Sequence, residues 1–288
     1  MRRGLDHLIM VAHELEAARM IYERLGFKTT PRAVHPFGTA NFLVQFQHNF
    51  LELVEIDDAS IIPPHTEDRF SFAAGNAAFL DRREGMSSLV FQSDNARSDR
   101  ADFAAKRLNT YEVVDFSRKA GLPDGSEVTV SFSLAFLTDP MMPECTFFVC
   151  QQSNPEHFWK TEYQTHPNGA LDAVETIMVA PDPAAHRPFF AGLHGNYNIS
   201  QNAGGMFVET TQGSISLMRP AAFAERFGED AAISGLGSPY FAGFRIQVAD
   251  LDTLTGVLDG NNMPYSRDGD AVRIKHADTM GVAIEFTS

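Results

Sequence analysis

The sequence is poor in cysteine, in basic residues and in long apolar runs, and each shortage removes a class of protein. Two cysteines among 288 residues cannot staple a disulfide framework, and their scarcity suits a reducing compartment. Cys145 and Cys150 stand five positions apart. Within one strand that odd offset sets them on opposite faces, where they neither pair nor share a metal. No stretch approaches the ~20 apolar residues of a membrane-spanning helix. Arg2 and Arg3 precede an apolar run at 8–12, which is too short for the core of a secretory leader and stops at His13-Glu14. A cytoplasmic location is therefore expected. Lysine and arginine number 23 against 37 acidic residues, a formal charge of −14. Nucleic-acid binding draws on cations that displace counterions, so that partner is not expected. Gly204-Gly205 and Gly235-x-Gly237 lack the strand-to-helix setting of a phosphate loop and read as turns.

What is present is ordinary globular material: 44% hydrophobic and 21% charged residues, in a chain long enough to bury a core without metals or disulfides. Its most informative property is repetition. Four segments share one grammar, an apolar strand, a helix of about three turns, then three strands. The first opens with Leu5-Asp6-His7-Leu8-Ile9-Met10-Val11. Its helix is expected over 14–25, with Gly26 as the stop, and its later strands at 28–30, 41–46 and 50–56. The second opens at 87–93, with a helix over 96–108 and strands near 112–116, 128–137 and 146–151. The third opens at 174–180, with Asp182-Pro183 starting its helix and strands at 197–200, 205–211 and 214–219. The fourth opens at 243–249. There Asp250 caps a helix over 251–258, and strands follow at 265–267, 271–276 and 282–287. Two inserts break the rhythm. Residues 57–85 carry Pro63-Pro64 and then a helical stretch at 70–80. Residues 153–170, aromatic and turn-rich, contain Trp159 and His166-Pro167-Asn168-Gly169.

Several of these motifs resemble a known superfamily: the first strand just quoted, the helix ending Tyr22-Glu23-Arg24-Leu25-Gly26-Phe27, then Leu51-Glu52-Leu53, and the closing Gly281-Val282-Ala283-Ile284-Glu285-Phe286. Together they look like the vicinal oxygen chelate pattern of glyoxalases, bleomycin-resistance proteins and dioxygenases. His35-Pro36-Phe37-Gly38-Thr39-Ala40-Asn41, Arg82-Arg83-Glu84-Gly85 and His166-Pro167-Asn168-Gly169 are similar to its glyoxalase-like branch. The resemblance implies an α+β chain of four βαβββ modules forming two glyoxalase-like domains with curved mixed sheets. The first domain is expected at 1–152, with the linker insert 57–85, a hinge at 153–170 and the second domain at 171–288.

In proteins of this type metal ligands project into each cup from the first and fourth strands of each module. Carried over, those places hold His7 and Glu52 in module one, Ser88 and Val149 in module two, Glu175 and Ser216 in module three, and Gly243 and Glu285 in module four. Strand alternation sets His7 on one face with Leu5, Ile9 and Val11, and Glu52 with Phe50 and Val54. An imidazole and a carboxylate aimed into an apolar cup suit Fe, Mn, Ni or Zn. First-row sites generally use three protein ligands, and this half offers two. The dioxygenase pattern needs two histidines and a glutamate in modules three and four, where only Glu285 matches. Pairing of module one with module four would instead gather His7, Glu52 and Glu285.

The candidate site is accordingly His7 and Glu52 as metal ligands, joined by Glu285 in that alternative packing, with Glu52 also as catalytic base. His35, Asn41, His166 and Arg219 are the candidate substrate contacts. His35 and His166 each precede proline in turn sequences, so a purely conformational role is the simpler reading of both. A buried Glu52 needs a partner, whether metal, arginine or tyrosine. Three functions fit: a metal-assisted isomerase, lyase or epimerase acting on a small oxygen-rich substrate; a metal-free protein that binds or sequesters a small molecule; and a scaffold whose second half serves a homodimer.

Overall fold

The structure is a computed structural model that describes residues 3–121, 127–228 and 236–288; Gly235 of the expected Gly235-x-Gly237 turn lies outside them. The chain opens with β1 (Leu5–Val11), α1 (Leu15–Arg24), β2 (Ala33–Val34), β3 (Thr39–Gln45) and β4 (Phe50–Ile56). After α2 (Phe72–Leu80) the order recurs as β5 (Gly85–Gln92), α3 (Ala96–Ala105), β6 (Asn109–Thr110), β7 (Val114–Gly121), β8 (Glu127–Thr138) and β9 (Thr146–Gln152). Beyond α4 (Pro155–Phe158) come β10 (Ala170–Val179), α5 (Arg187–His194), β11 (Ile199–Asn202), β12 (Gly205–Glu209) and β13 (Ser214–Met218). Last are α6 (Pro220–Phe227), β14 (Tyr240–Val248), α7 (Leu251–Gly260), β15 (Ser266–Asp268), β16 (Ala271–Ile274) and β17 (Ala283–Thr287). The class is α+β, with two mixed sheets of nine and eight strands.

Each sheet has one plan. In the first, β1 pairs parallel with β4 and antiparallel with β5, and β5 pairs parallel with β9. In the second, β10 pairs parallel with β13 and antiparallel with β14, and β14 pairs parallel with β17. Strands β1–β9 therefore pair among themselves and β10–β17 among themselves, and β1 does not share a sheet with β17. That separates Glu285 from His7 and removes the packing that would have joined them.

Helices supply the centre of the molecule. Leu15, Ala18 and Tyr22 of α1, Phe103 of α3, Phe189 and Leu193 of α5, and Leu251 and Leu254 of α7 join one buried cluster with residues from both sheets. The helical faces of the two halves thus pack together, and each sheet turns its other face outward as a cup. Ile9, Val11, Phe50 and Phe148 line the first cup, and Ile177, Met218 and Ala283 the second. A short helix enters each cup: α2 brings Phe79 and Leu80 to the first, and α6 brings Phe223 to the second. The sequence pattern anticipates α2 but carries no expectation of α6, which Pro220 opens at its first turn.

The segment 153–170, expected as a hinge, is tied down. Phe158 packs into the first cup, Gln45 Nε2 donates to the Phe158 carbonyl at 2.9 Å, and Gln164 Nε2 donates to the Phe46 carbonyl at 2.8 Å. The strand expected at 28–30 does not form. Those residues run beside β3 without joining the sheet, held by Thr30 N–H on the Leu43 carbonyl at 2.9 Å.

Candidate active site

The first strand carries an irregularity that builds the site. Along β1 the partner of Leu5 is Phe91 and that of His7 is Val90, so Asp6 is an extra residue against β5. Such a bulge shifts the side-chain alternation by one. Leu5 consequently joins the central core with Leu8 and Met10, while His7 faces the cup with Ile9 and Val11. The expectation that Leu5 shares the His7 face fails for this reason. The bulge also brings Asp6 beside its neighbour, with Asp6 Oδ1 2.6 Å from His7 Nδ1. A carboxylate at that distance holds the proton on Nδ1 and leaves Nε2 directed into the cup. Phe50 stacks on the imidazole at 4.3 Å and Phe148 meets it edge-on at 5.7 Å, so the ring is clamped on two sides.

Glu52, on β4, lies opposite Leu43 of β3 and beside Ile9 of β1. It is buried, and its carboxylate receives the Asn41 amide on Oε1 at 2.6 Å. His7 Nε2 stands 3.6 Å from Oε2, and His35 Nε2 stands 3.7 Å from Oε1. His35 arrives through a tight turn. Its N–H bonds the Thr39 carbonyl at 2.8 Å, and Gly38 takes φ +90°. A Cβ on Gly38 would stand 2.4 Å from the Asp58 carbonyl oxygen, so glycine serves both the backbone conformation and the space. The turn lets Thr39 Oγ1 meet His35 Nδ1 at 2.8 Å. The motif His35-Pro36-Phe37-Gly38-Thr39-Ala40-Asn41 is thus a hairpin that delivers His35 and Asn41 to Glu52. Burial pushes the His35 imidazole below its ordinary value despite the pull of Glu52, so the ring is neutral near pH 7.

These groups line a cavity of about 50 Å³ whose other walls are mostly phenylalanine. Arg118 of β7 and Cys150 of β9 also line it, and no sequence motif marks either for that role. Burial pushes the Cys150 thiol well above its ordinary value, reinforced by Asp6 and Glu52, so Cys150 is a neutral wall residue. Val149, the expected fourth-strand position, turns to the central core, and Phe148 and Cys150 take the cup face instead. Cys145 lies in that same central core, across the sheet from Cys150, and both thiols are free. Ser88 is buried beside Ser87, whose hydroxyl donates to Asn76 Oδ1 of α2 at 2.7 Å, and it does not line the cavity.

Two candidate substrate contacts stand elsewhere. His166 accepts the Lys28 N–H on Nδ1 at 3.0 Å and bonds the Gln45 carbonyl through Nε2 at 2.9 Å. Both ring nitrogens are committed to backbone, so His166 pins the 153–170 segment to module one and lies outside the cup. Arg219 is exposed at the start of α6, 3.4 Å from the Pro181 carbonyl, and lines neither cup.

The second cup corrects the remaining metal candidate. Arg226 of α6 reaches between the two buried carboxylates, Nη2 lying 2.8 Å from Glu175 Oε2 and 2.5 Å from Glu285 Oε1. Arg245 meets Glu175 at 3.0 Å and Arg273 meets Glu285 at 2.7 Å. Ser216, the fourth-strand position of module three, donates its hydroxyl to Glu175. At Gly243 a Cβ would stand 2.6 Å from the Ala283 carbonyl oxygen, so a histidine there would need the sheet to shift. Burial raises both glutamate carboxyls and the arginines outweigh it, leaving each below its usual range. Guanidinium groups hold the place between Glu175 and Glu285, and Glu285 is an ion-pair residue.

Tested against a divalent metal, the first cup supplies His7 Nε2 and Glu52 Oε2. On the other side of the carboxylate the Asn41 amide, a proton donor, sits 3.4 Å from His35 Nε2 and 2.6 Å from Oε1, where a cation would need lone pairs. Among the described residues no group of three or more His, Cys, Asp or Glu is arranged to hold a metal. The side chains as placed do not fit a resident metal.

Two curved mixed sheets, each joined through antiparallel first strands and each with a polar cluster in its concavity, define a protein of the vicinal oxygen chelate fold. The chain belongs to the family described as glyoxalase-like domain, whose model matches residues 5–193. By structure it is similar to a hypothetical protein from Staphylococcus aureus, with a TM-score of 0.69 at 11% identity, over 99% of this chain and 98% of that one. It is also similar to a variant of 4-hydroxymandelate synthase from Streptomyces coelicolor, with a TM-score of 0.57 at 9% identity, over 99% and 92%. A third likeness is to a variant of homoprotocatechuate 2,3-dioxygenase from Brevibacterium fuscum, with a TM-score of 0.55 at 10% identity, over 100% and 71%. At these identities the likeness is one of fold. No curated protein matches the chain by sequence. Among the described residues no helix is long and apolar enough to cross a membrane.

Proposed function

We propose that the chain is a proton-transfer enzyme, of isomerase, epimerase or lyase type, acting on a small oxygen-rich substrate in the first cup. One observation carries the reading: His7 Nε2 faces Glu52 Oε2 across 3.6 Å while Nδ1 is held by Asp6. An imidazole oriented by a carboxylate and directed at a second, buried carboxylate is an acid–base pair in a pocket walled by phenylalanine. Glu52 takes the proton from a carbon beside a substrate carbonyl as that C–H bond breaks. The electron pair moves onto the carbonyl oxygen as an enolate; the proton now on Glu52 passes to the free Nε2 of His7, which returns it to the substrate and completes the rearrangement. Asn41 N–H on Oε1 fixes the carboxylate so that Oε2 remains the reacting oxygen. The phenylalanine walls exclude water that would quench the enolate.

Proton abstraction can be followed by itself, whatever rearrangement comes after it. Small 2-hydroxy and 2-oxo compounds are incubated with the protein in D2O, and loss of the C–H signal beside the carbonyl is followed by NMR. Accelerated exchange is expected, falling by roughly 10²–10⁴-fold in Glu52→Gln and His7→Gln. Exchange that proceeds equally in both variants refutes the reading. So does exchange that starts only when Fe(II), Mn, Ni or Zn is added. Ligands that bind without any exchange would point to the metal-free binding protein instead.

A further inference from the structure

We infer that the substrate enters the first cup as a carboxylate and that Arg118 is the residue that takes it. This rests on the reading above only in placing the substrate in that cup. Among the described residues Arg118 is the one arginine or lysine lining the enclosed cavity. Its Nε is buried with no hydrogen-bond partner, and no carboxylate lies within ion-pair distance of its guanidinium among the described residues. A half-buried cation left in that condition is costly. The other described arginines in cup settings, Arg226, Arg245 and Arg273, are each paired with a carboxylate. Burial lowers Arg118 from its ordinary value, with Glu52 pulling the other way, so Glu52 is its main electrostatic neighbour and stops short of being its partner. A planar guanidinium fork matches a carboxylate with two parallel hydrogen bonds.

The surroundings say what the rest of the ligand is. The enclosed cavity admits roughly four water-sized groups, with aromatic rings opposite the polar cluster, so a short apolar body fits beside the reacting carbon. Arg118, Asn41, Leu43 and Phe158 are shared with an outer groove of about 500 Å³. Among the described residues Lys119, His157, Lys160 and Glu162 line that groove; Arg32 is there too, held by Glu55 and Asp57. A phosphate monoester would need more donors than the single fork at the floor provides, so the anion is read as a carboxylate.

Trp159 is the chain's one tryptophan, and its ring lies 5.8 Å from Phe50 and 5.3 Å from Phe158, both in the cavity wall. Its fluorescence therefore reports occupancy. The full-length protein is titrated with butyrate and phenylacetate, with the matching amides, and with methyl phosphate. The carboxylates are expected to bind roughly ten- to a hundredfold more tightly than the amides. In Arg118→Gln that preference should collapse to about unity, with a thermal midpoint no lower than the native one and unchanged amide affinity, and Arg118→Lys should keep part of it. Equal binding of acid and amide to the native protein overturns the assignment, as does a preference that survives Arg118→Gln, tighter binding of methyl phosphate, or no carboxylate binding at all. Because no turnover is read, carboxylate binding that depends on Arg118 but brings no proton exchange would sink the enzyme reading while leaving this one standing.

Discussion

Replacing Arg226 by methionine tests whether the second cup is a closed ion-pair cluster. The substitution keeps much of the side-chain volume and leaves two carboxylates, buried to within a few percent, without their shared cation. Removing one partner of a buried pair typically costs about 3–5 kcal/mol. Here Glu175 keeps Arg245 at 3.0 Å and Glu285 keeps Arg273 at 2.7 Å, so the low end, about 3 kcal/mol, is expected. For a chain of this size that lowers the thermal midpoint by roughly 6–12 °C. Both carboxyls sit below their ordinary value of 4.5 in the native protein. The stability they contribute is therefore full above pH 4.5 and is lost as pH falls through their lowered folded values. The gap between native and Arg226→Met protein should accordingly be widest near pH 7 and shrink below pH 4.5. Denaturant unfolding at pH 7 and pH 4 measures all of this. A loss below about 0.5 kcal/mol at pH 7, or a gap that widens in acid, would show that the cluster is solvated and that the second cup is open to ligands.

Two further substitutions probe the interior. His194 is buried against Phe91 at 4.7 Å with neither ring nitrogen bonded among the described residues, and burial drops its imidazole from 6.5 to about 3. The unfolded chain gains a proton there below pH 6.5 that the folded chain refuses until about 3. Native stability should then fall by about 1.4 kcal/mol per pH unit across that window from this residue alone. His194→Leu should remove that share, seen as a flatter stability profile between pH 7 and pH 5; profiles of equal slope would contradict the burial. Gly38→Ala should cost about 1–3 kcal/mol, because φ is +90° and the Asp58 carbonyl blocks the new Cβ. It should also slow proton exchange, since it displaces His35 and Asn41 from Glu52. A variant as stable and active as the native protein would show that the turn is adaptable.

Much of the fold was legible because it is written in periodicities. Apolar strands at 5–11, 85–92, 170–179 and 240–248, each followed by a helix, are local patterns that burial enforces on one face at a time. The turn around Gly38 was likewise readable, because adjacent residues in a turn have known directions, whereas His7 and Glu52 were singled out by the resemblance to the vicinal oxygen chelate pattern. Asp6 was readable in principle as the acidic neighbour of His7. No local signal announced the bulge that brings them together, since a bulge is settled by how β1 registers against β5, far along the chain. His166 illustrates the reverse: its Pro-Asn-Gly setting reads equally as a loop contact or a pin, and only the Lys28 and Gln45 backbone beside it decides.

The sequence by itself determined the repeated strand–helix grammar, because that follows from side-chain spacing along single elements, while the cups and the places of His7 and Glu52 in them were implied by the resemblance to the vicinal oxygen chelate pattern. Only the tertiary structure decided which polar groups meet. Arg118 comes from a hairpin far along the chain from Glu52, Arg226 from a helix that the strand grammar does not contain, and Glu285 from a sheet that β1 does not join. Charge pairing in a low-dielectric interior depends on distance through space, and that distance is set when the sheets curve and the helices pack, not by separation along the chain.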